Sequence, residues 1–403
     1  MKGEPVNSSR GVSRRRFLLG AAGSAALVSA GRAAQALPAE PEASPAGEAT
    51  VPAQGEHQAG VDTPLQSAAI FTAYNLVAGI TRVEIARLMQ LWTDDIVRLT
   101  QGRPALGDPV PELAAIPARL TVTVGFGPGV FAAAAMEGAR PSWLRPLPAF
   151  KGDRLQADWS GGDLLVQLCA DDPVTLAHAD QVLTSTASSF ASVAWQQHGF
   201  QRARGMTPDG TVGRNLMGFV DGIVNPVPGT ADFDAVVWNP GQPPWLKGGS
   251  CLIVRRIRMD LQRWSSLDTR QREEVFGRTA ADGSPLSGGS PQDRPDLDAR
   301  DSSGLSAIPL FAHVRLAAPT SPEERILRRP FNYDSGPIAG GRDSGLIFAA
   351  YCANPERQYI AMQRRLADHD LLNSWVSAVG SAVFAIPPGF EDGHYLGESL
   401  LKI

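Results

Sequence analysis

Two hydrophobic periods alternate along the chain from residue 81 onward. Ile85, Leu88, Met89, Trp92, Ile96 and Leu99 recur at helical spacing behind Thr81-Arg82-Val83-Glu84, which reads as a capping box. The spacing predicts a helix that stops at Gly102. Leu120, Val122, Val124 and Phe126 alternate with Thr and Gly, the period-2 pattern of a strand. Residues 163–170 read as a second strand and 173–195 as a second long helix. A further set begins at Ser250: strand 251–259, short helix 268–276, strand 310–316, strand 346–351, helix 355–366 with proline in its first turn, and strand 382–386.

Each half therefore mixes antiparallel-type strands with helices at similar spacing. A duplicated α+β sandwich with helices on each sheet satisfies this order. The Gly/Pro/Asp tracts at 201–248 and 276–304 are too long for plain connections, and loops of that kind are usually functional or disordered. The body is expected to start near Gln66.

The N-terminal 65 residues follow neither period. Ser13-Arg14-Arg15-Arg16-Phe17-Leu18-Leu19 leads an apolar stretch of 14 residues, 17–30, too short for the ~20 that a spanning helix needs, and Ala34-Gln35-Ala36 has the form of a cleavage site. Residues 1–36 thus resemble a twin-arginine signal peptide, which implies export of a folded, cofactor-loaded chain to a periplasmic or extracellular location. Residues 37–65 are rich in Ala, Pro and Glu, with five acids and no Lys or Arg, and are expected to be a disordered tether.

Charge narrows the function. Across 403 residues, 37 Lys+Arg stand against 41 Asp+Glu, a formal −4, and the signal removes only one of the acids but six of the cations. The remainder is plainly acidic, which argues against nucleic acid as a partner. Cys169, Cys251 and Cys352 lie too far apart for any CxxC pair, so neither a zinc ribbon nor a redox dithiol is expected, and the odd count argues against a disulfide framework. Six histidines form no HxH or HxxxH pair, so a multi-histidine metal site would have to be assembled by folding.

Three segments carry candidate chemistry. His313 lies within the predicted strand 310–316, where a histidine among apolar residues is ordinarily a core residue but can also be a ligand held neutral. Asp221 sits in Gly218-Phe219-Val220-Asp221-Gly222, on its own a plain glycine-flanked turn, and Arg328-Arg329 is on its own a solvated pair. Gly125-Phe126-Gly127-Pro128-Gly129 has neither dinucleotide nor Walker spacing and reads as a tight turn. An imidazole, a carboxylate and a guanidinium together are what peroxide cleavage on haem requires: an axial ligand, a proton shuttle and a cation for the developing charge.

With these segments in order the chain resembles the dye-decolorising (DyP-type) peroxidases, and within them the exported deferrochelatase/peroxidase branch of bacterial iron uptake. The resemblance rests on Gly213-Arg214-Asn215-Leu216-Met217-Gly218-Phe219-Val220-Asp221-Gly222, Ala312-His313-Val314-Arg315 and Ile326-Leu327-Arg328-Arg329. Ser160-Gly161-Gly162-Asp163-Leu164, Gly248-Gly249-Ser250 and Phe384-Ala385-Ile386-Pro387 flank them. It extends over roughly residues 65–403.

The resemblance implies two ferredoxin-like domains of the dimeric α+β barrel superfamily type, 66–230 and a haem-binding 231–403. It implies haem b (iron protoporphyrin IX) as cofactor, with His313 as the iron's axial ligand, Asp221 as acid/base and Arg328 as the distal cation. Gly222, Ile223 and Val224 would wrap the haem, as would Ala318, Pro319 and Thr320. Asn225 and Arg315 are candidates for the propionates, and Asp370 for the His313 Nδ1–H. Relatives often carry Thr where Ile223 stands and Asn-Pro-Arg where Ala318-Pro319-Thr320 stands, and their His–Arg segment is three residues longer. The expected partners are hydrogen peroxide, an organic electron donor (a dye or a phenolic) and the twin-arginine translocase, with a homodimer and an iron-uptake partner as further expectations. The alternative function is a haem-handling protein, a deferrochelatase or haem carrier, with little peroxide turnover.

Overall fold

The computed structural model describes residues 46–208, 211, 213–220 and 224–402. The signal-like segment, the first part of the 37–65 stretch, and Asp221, Gly222 and Ile223 lie outside the described residues. Nine strands are found among those described: β1 Ala68–Leu76, β2 Thr121–Phe126, β3 Leu164–Ala170, β4 Ala191–Phe200, β5 Ser250–Met259, β6 Leu327–Arg328, β7 Phe331–Ile338, β8 Gly341–Cys352 and β9 Val376–Ile386. They pair antiparallel in the order β5-β9-β2-β3-β1-β4-β7-β8-β6, and a further β5–β8 ladder closes the sheet into a barrel. Closure removes the exposed edges that an open sheet would have to protect.

Two four-stranded blocks make up the ring, and they meet at narrow seams. The β2–β9 seam has a single register pair, Phe126↔Ala385, and the β4–β7 seam also has one, Phe200↔Asn332. At each seam a glycine lets the other block approach: a Cβ on Gly125 would lie 2.9 Å from Phe384 Cβ, and one on Gly199 2.6 Å from Phe331 Cβ. No side chain fits at either position.

Strand alternation divides the core into two layers. Ala69, Phe71, Leu165, Leu252, Val254, Ile347, Ala349 and Phe384 fill the barrel. Their neighbours Ile70, Val166, Leu168, Ile253 and Ala350 point outward, beneath a helical layer that includes Ile85, Trp92, Leu176, Leu183 and Met362. The capping box is present at helix Arg82–Leu99, with Thr81 and Glu84 bonded to each other's backbone N–H. A third, smaller core of Met217, Phe219, Met259, Trp264, Val275 and Leu372 lies apart from these layers. No helix among the described residues is long and apolar enough to cross a membrane.

Three expectations are corrected, and strand β1 had none. The predicted helix 173–195 is helix Pro173–Ala187 followed by β4, because the small and hydroxylic residues 184–189 offer the helix little further apolar surface. β1 escapes the alternation test because both of its faces are buried. The predicted strand 310–316 is a turn followed by the short helix His313–Leu316, an ambiguity that periodicity cannot resolve in so short an apolar run. The tether expectation fails for the described part of 37–65. Gln58 exchanges two hydrogen bonds with the Val124 backbone and donates a third to the Pro387 carbonyl, so its amide bridges the β2–β9 seam. Val61 is fully buried, and His57 stacks on Trp238 with ring centroids 3.7 Å apart. Specific side chains placed at a seam overcame a composition typical of disorder.

Candidate active site

His313 opens the helix His313–Leu316 and is about one-third exposed. Its Nδ1 lies 2.6 Å from Asp370 Oδ2, a carboxylate only 3% exposed. Asp370 is itself fixed at a junction: it ends helix Ile360–His369, and its Oδ1 accepts the Leu372 N–H at the start of the next turn. An ionised carboxylate in that position accepts the Nδ1–H, so the tautomer is set and the lone pair is on Nε2. Phe276, from helix Thr269–Phe276, meets the imidazole edge-on at 6.0 Å between centroids. The result is an oriented, basic imidazole at the surface of a small aromatic core.

Arg365 braces the chain that follows His313. Its guanidinium donates to the carbonyls of Leu316 and Ala318 and pairs with Glu324 at 3.1 Å. Glu324 in turn accepts the Thr320 N–H. The predicted wrap Ala318-Pro319-Thr320 is therefore held at both ends, with Pro319 and Thr320 exposed. Arg315 donates to the carbonyls of Leu297 and Ile308 and to Ser306 Oγ, so its guanidinium pins the long 276–308 tract against the His313 helix.

Arg328 lies in β6, its register partner Ala350 in β8. Asn225 clasps its backbone at both ends: the Arg328 N–H donates to Asn225 Oδ1 at 3.0 Å, and Asn225 Nδ2 donates to the Arg328 carbonyl at 2.7 Å. The Asn225 side chain thus ties the loop that carries Asp221 to the strand that carries Arg328. Val224, just before it, is exposed. Arg329 is buried and engages the Thr63 carbonyl and Gln66 instead.

One cation was not singled out from sequence. Arg278 is buried, its guanidinium donating to the carbonyls of Gly283, Pro291 and Asp293. Burial first, and the nearby charge of Arg328 second, hold its pKa below the usual arginine range. Arginine inside a Gly/Pro/Asp tract gives no periodic signal that could have marked it.

Haem fits this donor set. Among the described residues no cluster of three or more His, Cys, Asp or Glu could hold a bare metal ion. Porphyrin iron brings most of its own ligands and needs one protein donor such as the His313 imidazole. If Asp370 sets the ligand's basicity, Asp370→Asn weakens retention of the cofactor by about 10–100-fold and raises its reduction potential. Haem-transfer kinetics and a redox titration check this; unchanged values in both remove Asp370 from the site.

Comparison with known proteins places this geometry. The family model described as Dyp-type peroxidase, N-terminal, matches residues 58–201, and the one described as Dyp-type peroxidase, C-terminal, matches residues 212–391. The chain is 37% identical over 430 aligned residues to the dye-decolorizing peroxidase of Thermobifida fusca, with 99% of each covered. It is 32% identical over 432 residues to a deferrochelatase of Escherichia coli O157:H7, with 100% of each covered. A solved DyP-type peroxidase from Cellulomonas bogoriensis superimposes with a TM-score of 0.86 at 48% identity, covering 89% of this chain and 100% of that one. One from Streptomyces coelicolor gives 0.86 at 40%, covering 89% and 98%.

Proposed function

The chain belongs to the DyP-type peroxidase family, a family of haem-binding enzymes, and from that premise we propose how its own side chains carry the reaction. The enzyme is a peroxidase: hydrogen peroxide is reduced while an organic donor, a dye or a phenolic, loses electrons one at a time. Haem b, when bound, supplies the redox chemistry that cleaves the O–O bond and withdraws those electrons. His313 would hold the iron through Nε2, with Asp370 keeping its ring oriented. Asp221 takes the proton from one peroxide oxygen and returns it to the other. Arg328, positioned by Asn225, stabilises the negative charge that develops as the bond breaks. Ala318, Pro319, Thr320, Gly222, Ile223 and Val224 would border the cofactor, with Arg315 holding the loop behind His313 in place.

The observation that carries this reading is the 2.6 Å His313–Asp370 contact at a partly exposed helix start. Its test is peroxide-dependent bleaching of an anthraquinone dye by the haem-loaded protein. Absence of bleaching at any pH between the carboxylate and imidazole ranges defeats it. A second reading, removal of iron from haem, is favoured by the full-length match to proteins named deferrochelatase. Metal-free protoporphyrin, detected by its fluorescence after incubation with haem alone, distinguishes the two. That reading would also bring in a partner in iron uptake.

Two ferredoxin-like halves of the dimeric α+β barrel type, divided near residue 230, account for the ring. Strand order β2-β3-β1-β4 in one block and β9-β5-β8-β7 in the other, with a single-pair seam at each junction, supports the duplication. A homodimer is proposed on the resemblance alone. Export through the twin-arginine translocase to a periplasmic or extracellular site rests on Arg14-Arg15, the apolar stretch and Ala34-Gln35-Ala36. Replacing Arg14 and Arg15 together by Lys should leave haem-loaded precursor in the cytoplasm. Processed, loaded protein outside the membrane in that variant points to another route.

A further inference from the structure

Cys251 and Cys352 face each other across the β5–β8 ladder as direct register partners. Both are fully buried, on the outer face of the barrel with Ile253 and Ala350. Directly opposed residues of an antiparallel pair have Cα atoms about 4.5–5.5 Å apart, inside the range a disulfide bridges. Cys169 is elsewhere, on the inner face in β3 beside Arg329. The sequence shows no CxxC spacing because this pair is made by strand register, not by local proximity.

From this juxtaposition we propose that Cys251 and Cys352 are a dithiol that closes to a cross-strand disulfide, with hydrogen peroxide as the oxidant. One sulfur attacks a peroxide oxygen, the O–O bond breaks, and a sulfenic acid and a water form. The second thiol then displaces the sulfenic oxygen as a second water, forming the S–S bond. Two sulfurs lose two electrons in all, and one peroxide, taking both thiol protons, becomes two waters. Burial, with Cys352 alongside, pushes the Cys251 thiol well above the usual thiol range, so thiolate is scarce and the reaction slow. The pair responds to sustained exposure, not to single turnovers.

The position of the link gives it a purpose. His313, Arg315 and Arg328 all lie between Cys251 and Cys352 in the chain. Joining those two residues closes a loop of about 100 residues around the haem-binding segment and restricts the open states through which cofactor leaves.

The full-length, haem-loaded protein is held in excess hydrogen peroxide, quenched with catalase, unfolded with a thiol-alkylating probe, and read by intact mass and peptide mapping. Three adducts are expected before exposure and one afterwards, on Cys169, together with a Cys251–Cys352 peptide lighter by two hydrogens. Reductant restores three. Cys352→Ser gives no cross-linked peptide. Closing the link with diamide, a dithiol oxidant that spares haem, slows haem transfer to apomyoglobin in the wild type and leaves it unchanged in Cys352→Ser. Survival of all three thiols, separate sulfinic or sulfonic acids at Cys251 and Cys352, or a cross-link through Cys169 overturns the proposal.

Discussion

Asp221→Asn slows the reaction with hydrogen peroxide by about 10²–10⁴-fold, the usual size of a lost general acid–base contribution. The amide keeps the shape of the carboxylate but can neither take a proton from one oxygen nor deliver it to the other. Stopped-flow decay of the resting Soret band on mixing with peroxide measures the step directly, before any donor is involved. The same role sets the pH dependence. An unperturbed aspartate titrates near ~3.9, against ~6.5 for a histidine. On the proposed role, desolvation by a bound cofactor would raise an aspartate and a neighbouring guanidinium would lower it, so the two effects oppose. The base is lost only when pH falls through the aspartate range, and donor oxidation therefore peaks on the acid side of neutrality. Arg328→Leu separates the two contributions. Slowing in both variants fits a shared role. A wild-type rate in Asp221→Asn beside a slow Arg328→Leu assigns catalysis to Arg328 and leaves Asp221 shaping the pocket.

His313→Ala empties the site. Haem occupancy should fall to a small fraction of the wild-type value, because the alanine offers the iron no donor in place of the Asp370-held imidazole. The apoprotein should remain folded, since a one-third exposed ring adds little to a core built from Phe71, Trp92, Phe126 and Phe384. Its cost to stability comes from Asp370, whose buried carboxylate loses a hydrogen-bond partner, about 1–3 kcal/mol. Added imidazole fills the gap and restores the Soret band. Normal occupancy with an unshifted band in the variant sinks the ligand assignment, and far-UV circular dichroism separates loss of ligand from loss of fold.

Much of this was written in the chain at short range. The capping box at Thr81, the alternation in β2 and the Asp268 cap of helix Thr269–Phe276 all follow from neighbours within four residues. The order Asp221, His313, Arg328 was equally legible, because each lies in a recognisable segment. What escaped depends on distance or on burial from both sides. β1 is apolar on both faces, so no period marks it. The turn before His313 exposes Leu310 and Phe311, apolar residues that on paper extend a strand. Gln58 looks like part of a polar leader until a seam between β2 and β9 gives its amide three partners. The Asn225 clasp on the Arg328 backbone joins segments far apart in the chain, which no local pattern marks.

The absorption spectrum of the purified protein, before and after one equivalent of hydrogen peroxide, tests the central claim most directly. A single trace reports both cofactor and chemistry. The expected result is a Soret band at near-stoichiometric haem that changes within the mixing time and returns as a donor is oxidised. A protein that takes up no haem, or one whose Soret band peroxide leaves untouched, contradicts it.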